Sequence, residues 1–94
     1  MGLSSMRVVM ARLNQAPTAR PHDPAPATVQ DLIWAHARPS EGLEHVRAVT
    51  TDRSLDLYLF VRAASTAAAM TQMHALLTRV HGPLASHGLT LDRR

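Results

Sequence analysis

The stretch from Leu43 to Val61 constrains the fold of this chain more than any other. It reads Leu-Glu-His-Val-Arg-Ala-Val-Thr-Thr, breaks at Asp52-Arg53-Ser54, and resumes as Leu-Asp-Leu-Tyr-Leu-Phe-Val. The second run places a leucine or valine at every other position and aromatic, polar or charged residues between them, the period of a half-buried strand. Two strands around a short polar break make a β-hairpin. Pairing Thr51 with Ser54 sets Val46 opposite Leu59 and Ala48 opposite Leu57, with Leu55 and Val61 on that same face. The other face then pairs His45 with Phe60, Arg47 with Tyr58 and Val49 with Asp56. A slip of one residue would set His45 and Arg47 among the leucines, which burial forbids. The break lacks the glycine of a tight primed turn, so a four-residue loop around a type I turn is expected.

The other elements are placed around this hairpin. Arg7–Leu13 is an apolar, β-branched strand too short for a helix, with Val9, Ala11 and Leu13 on one face and Val8, Met10 and Arg12 on the other. The segment 14–26 holds Pro17, Pro21, Pro24 and Pro26 and no large apolar residue, so it is expected as an irregular loop carrying Arg20, His22 and Asp23. A helix follows, with Thr28 as its expected N-cap, Asp31 near its positive end, and Val29, Leu32, Ile33 and His36 on one face. Pro39 stops it at or before Arg38. Trp34 lies off that stripe, one turn from Arg38, as an edge anchor in cation–π range.

After the hairpin, Ser65 caps a long helix with a stripe of Ala69, Met70, Met73, Leu77, Val80 and Leu84. Gly82-Pro83 predicts either an end near His81 or a kink followed by helix to Ser86. Gly88 resets the chain for a last strand, Leu89–Leu91. The order strand–helix–strand–strand–helix–strand is that of the ferredoxin-like βαββαβ sandwich, an α+β fold with two helices on one face of a four-stranded antiparallel sheet. Its first and third strands are central, and those are the two with apolar residues on both faces.

Ninety-four residues are expected to form one domain, 1–94, with 1–6 flexible and Met6 and Met10 as alternative starts to Met1. The apolar fraction of 46% is that of a globular chain, but much of it is alanine, and Trp34, Tyr58 and Phe60 are the only aromatics. So thin a core gains from further burial in an oligomer. The absence of cysteine removes disulfides, thiolate metal sites and cysteine nucleophiles. No apolar run is long enough to span a membrane and no signal-peptide pattern opens the chain, so a cytoplasmic location is expected. All ten basic residues are arginine, which fits a GC-rich genome, and a net charge of +3 is too small to imply a nucleic-acid partner.

With the helices on the leucine side, the opposite face is left bare: His45, Arg47, Val49, Tyr58, Phe60 and Arg62, with Val8, Met10 and Arg12 beside them. A monomer does not leave so large an apolar patch in water without reason. The first expectation is a second copy packed sheet against sheet, or another protein, with Arg47 stacked on Tyr58 and no chemistry implied. The second is a dimeric α+β barrel enclosing a pocket. The strand Val8-Val-Met-Ala-Arg12, the turn Arg38-Pro-Ser-Glu-Gly42, and the strand Leu57-Tyr-Leu-Phe-Val-Arg62 entering a helix resemble, in outline, small antibiotic-biosynthesis-type monooxygenases. That resemblance implies a dimeric enzyme acting on a small acidic or polyketide-like molecule. Ala67–Ala69 and the Met70–Leu84 stripe replace the aromatic-rich segment of those proteins, so no catalytic set is carried over. On chemistry alone, His45 would accept a proton while Arg47 and Tyr58 hold an anionic or enolic substrate. The third is single-stranded RNA stacked on Tyr58 and Phe60 between Arg47 and Arg62. The glycine-bearing consensus of RNA-recognition motifs is missing, and Met10 stands where an aromatic is wanted, so nucleic acid is not expected.

The six histidines form no i, i+4 pair, and His74 and His81 lie two turns apart on one face, so neither a metal nor a cofactor is expected. His36 reads as a core-edge histidine. The contact surface is expected at His45, Arg47, Tyr58, Phe60, Arg62, Met10 and Arg12, on a non-catalytic module that dimerises or binds a protein partner.

Overall fold

The computed structural model describes residues 4–15 and 25–92. Its elements are β1 (Ser5–Gln15), α1 (Pro26–His36), a 3₁₀ turn (Pro39–Glu41), β2 (Leu43–Thr50), β3 (Ser54–Ala63), α2 (Thr66–Arg79), α3 (His81–Ser86) and β4 (Leu89–Leu91). The strands form one antiparallel sheet in the order β2-β3-β1-β4. β3 and β1 are thus the interior strands, as their two-sided apolar pattern requires.

The hairpin register is the one its alternation predicts: His45 faces Phe60, Val46 faces Leu59, Arg47 faces Tyr58, Ala48 faces Leu57 and Val49 faces Asp56. The Thr51 N–H donates to the Ser54 carbonyl at 2.8 Å and closes the four-residue loop. One irregularity was not expected. Between Leu43 and His45 the register shifts, so that Leu43 pairs with Val61. Strict alternation inward from Val46 would have buried Glu44 and exposed Leu43. The bulge reverses this: Leu43 packs against the core, and Glu44 accepts from the Arg62 Nε at 2.8 Å.

Several boundaries differ from expectation for identifiable reasons. Ser5 and Met6, expected as flexible, are the first residues of β1 and pair with Ala63 and Arg62. The proline-rich loop falls in the undescribed stretch except at its ends, where Asn14 and Gln15 belong to β1 and Pro26 opens α1. The N-cap of α1 is Ala25, not Thr28. Pro26 explains the earlier start, because its preset φ and missing N–H suit the first helical position. Asp31 then lies beyond the first turn.

Ser65 does cap α2, accepting from the Ala68 N–H at 3.0 Å. The helical run breaks at Val80 and resumes as α3 to Ser86. Pro83 has no N–H to offer the Arg79 carbonyl four residues back, and its ring crowds that carbonyl, so the break falls before the Gly-Pro pair. The buried stripe of these helices is Ala69, Met73, Leu76, Leu77, Val80 and Leu84, whereas Met70 is 55% exposed. Leu76, not Met70, completes the core.

The buried apolar residues make one cluster. It joins Val29 and Ile33 of α1 and the α2–α3 stripe to Val9, Leu13, Val46, Ala48, Leu55, Leu57, Leu59, Val61 and Ala63 of the sheet. No described helix is long and apolar enough to cross a membrane.

Candidate binding surface on the open sheet face

The alternation that buries the leucines turns their neighbours the other way. On β3 these are Asp56, Tyr58, Phe60 and Arg62; on β2 they are His45, Arg47 and Val49; on β1 they are Met6, Val8, Met10 and Arg12. The register brings all seven expected contact residues onto this face. Tyr58 sits between Arg47 and Met10, Phe60 between His45 and Val8, and Arg62 beside Met6.

Exposure is distributed differently from expectation. Tyr58, Phe60 and Val49 are partly buried, while Met6, Val8 and Met10 are 49%, 53% and 64% exposed. Side chains on β3 are flanked by neighbours on both β2 and β1. Those of β1 lack the second neighbour, because β4 pairs only with Leu13, Asn14 and Gln15. Met6 was missed by treating the strand as starting at Arg7, although Met6, Val8 and Met10 keep the spacing of two that marks one face.

The charges largely pair with one another. Arg12 donates from Nε to Asp56 Oδ1 at 2.8 Å and from Nη2 to Oδ2 at 3.5 Å, directly across the β1–β3 ladder. Arg62 is matched by Glu44 at 2.8 Å. Both pairs are solvent-exposed, so they set local charge and contribute little to stability. Among the described residues Arg47 has neither a hydrogen-bond nor an ion-pair partner.

Arg47, Val49, Tyr58 and Phe60 line an open hollow of about 340 Å³. The His45 ring meets Phe60 at a centroid distance of 5.5 Å and a tilt of 51°, a packing contact between two rings. Among the described residues neither His45 nitrogen has a hydrogen-bond partner and no carboxylate orients the ring. A second hollow, about 280 Å³, lies beside Met10, Ala11, Arg12, Asp56 and Asp92. No three potential metal-ligating side chains converge among the described residues.

Two further predicted features resolve simply. His36 is partly buried with Nδ1 at 2.9 Å from the Leu32 carbonyl, a core-edge position, and Trp34 is exposed on α1.

The one buried charge among the described residues is Glu41, which escaped sequence reasoning. Glu41, 6% exposed, forms a two-pronged ion pair with Arg79 of α2: Arg79 Nη1 lies 3.0 Å from Oε1, and Nη2 meets Oε2. Oε1 also accepts the Arg38 N–H at 2.9 Å, and Arg79 Nη1 donates to the His36 carbonyl at 2.6 Å. The Arg79 hydrogen bonds hold the Glu41 carboxyl below the usual carboxylate range against the opposing effect of burial. This cluster ties the α1–β2 connection to α2.

No protein-family model matches the chain, and comparison with curated proteins and with solved structures finds no match.

Proposed function

We propose that this chain is a small non-catalytic interaction module of ferredoxin-like fold, with both helices on one face of the sheet, which dimerises or binds a protein partner through the other face. The strand order and the single core shared by α1, α2 and one sheet face support the fold. The observation that carries the function is the grouping on one face of exposed Met6, Val8 and Met10 with Tyr58, Phe60 and Arg47, which has no partner among the described residues. An apolar patch rimmed by arginines matches the composition of protein contact surfaces, where aromatic residues, Met and Arg are enriched.

The hollow between Arg47 and Phe60 favours one alternative, a dimeric α+β-barrel enzyme for a small acidic or polyketide-like substrate. In it Arg47 would receive the anionic group, Tyr58 would hydrogen-bond to it, and His45 would take the proton. Among the described residues His45 has no orienting partner, which counts against it.

Arg47→Ala combined with Tyr58→Phe separates the two. For a contact surface, sedimentation of the double variant should show association with self or partner weakened about tenfold or more, as loss of central Arg and Tyr contacts does. For a pocket, assembly should be unchanged and binding of an aromatic carboxylate probe lost. A variant that assembles like the wild type and binds nothing the wild type binds differently contradicts both readings.

A further inference from the structure

Methionine is the only sulfur side chain of this cysteine-free sequence, at positions 1, 6, 10, 70 and 73. Met73 is fully buried in the core, whereas Met6, Met10 and Met70 are about half exposed or more. Met6 and Met10 lie two turns of the pleat apart on β1, both on the open sheet face. Met70 stands on α2, where it borders a groove of about 440 Å³ together with Met10. Oxidation of a thioether follows its access to solvent, so the open face holds two reactive sulfurs and the core holds a protected one.

The neighbours of Met6 and Met10 suit the oxidised form as well as the reduced one. Across the β1–β3 ladder Met6 pairs with Arg62 and Met10 with Tyr58. Directly opposed side chains are close enough to interact, and guanidinium and phenol groups are hydrogen-bond donors. A sulfoxide oxygen at either position therefore has a donor opposite it. Neither methionine belongs to the core cluster, and the ladder that holds β1 is made by backbone groups that a side-chain oxygen leaves intact.

We propose that Met6 and Met10 are a reversible oxidation site, through which peroxide converts the open face from an apolar surface to a polar one. The sulfur lone pair attacks one oxygen of hydrogen peroxide. An S–O bond forms, the O–O bond breaks, and the departing hydroxide is protonated to water. Each sulfur loses two electrons and the peroxide gains them. A thiol-dependent sulfoxide reductase returns two electrons and releases the oxygen as water. Burying a sulfoxide against an apolar partner without a matched donor should weaken association by about tenfold or more. That effect on association rests on the reading of this face as a contact surface; the chemistry at the two sulfurs does not.

Purified protein treated with dilute hydrogen peroxide and mapped by peptide mass spectrometry tests it. Met6 and Met10 should each gain one oxygen well before Met73, with circular dichroism unchanged. Retention on a phenyl hydrophobic-interaction column should fall, and methionine sulfoxide reductases with dithiothreitol should restore it. Met6→Leu combined with Met10→Leu, a swap that keeps volume and apolarity, should remove most of this response, and Met70→Leu little of it. The proposal is overturned if Met6 and Met10 react no faster than Met73, if their oxidation unfolds the chain, or if Met70 carries the response. Sedimentation of the same samples separates the switch from the contact reading. Assembly that weakens with Arg47→Ala and Tyr58→Phe but not with peroxide overturns the switch alone. A reversible change in retention, with assembly indifferent to those two substitutions, supports the oxidation site and counts against the contact surface.

Discussion

Glu41→Ala is expected to lower the unfolding free energy by about 3 kcal/mol, the cost of breaking a buried ion pair from one side. Arg79 would be left beside the His36 carbonyl with its carboxylate gone, and the Arg38 N–H would lose its acceptor. In a domain of this size the melting temperature should fall by roughly 12–24 °C. Acid should act in the same direction. The folded carboxyl titrates below its unfolded value, so the contribution is complete above the ordinary carboxylate range, near pH 4. It drains away as pH falls through that range toward the lowered folded value. Urea unfolding of the wild type at pH 7 and pH 3 should show this loss, and Glu41→Gln should show a smaller change between the same two conditions. Equal slopes in the two proteins would assign the acid sensitivity to other carboxylates.

Gly42→Ala should be nearly as damaging, about 3 kcal/mol, from two causes that add. Gly42 has φ of 70°, a left-handed conformation that costs a side-chain-bearing residue about 1–2 kcal/mol. A Cβ there would also lie 2.5 Å from the Arg62 carbonyl oxygen, a backbone atom that cannot rotate away. That carbonyl accepts from Gln72 Nε2, while the Arg62 N–H donates to the Gly42 carbonyl at 2.8 Å. Moving it disturbs the start of β2, the end of β3 and the contact to α2 together. Denaturant unfolding measures the loss directly. A change below about 1 kcal/mol would mean that the 3₁₀ turn relaxes without the sheet.

How much of this was written in the chain depends on the range of the interaction. The hairpin could be registered residue by residue because burial on one face leaves a strand with one acceptable alternation. The bulge at Leu43–His45 left a readable trace, since Leu43 and Glu44 stand in the wrong order for a strand that buries Val46. The early start of α1 was also readable at Pro26, whereas Thr28, a residue of suitable type, drew the expectation inward. Choosing Leu76 over Met70 needs the orientation of α2 against the sheet, which periodicity alone leaves open by about one residue. The Glu41–Arg79 pair was invisible because its partners are 38 residues apart and Glu41 lies in a turn that looks exposed. The expected contact residues were legible as a face, through the hairpin. Their relative exposure was not, because it depends on how little of β1 the three-residue β4 covers.

The chain has a single tyrosine, Tyr58, in the middle of the open face. Its nitration, measured by mass spectrometry, reports directly on whether that face is covered when the protein is at work. The same reagent dose should be given to dilute purified protein and to intact cells producing it, with modification of Trp34 on α1 as the internal reference. Tyr58 should react readily in the dilute protein and be shielded in the cell, whereas equal reactivity of Tyr58 in both would contradict the open face as a contact surface.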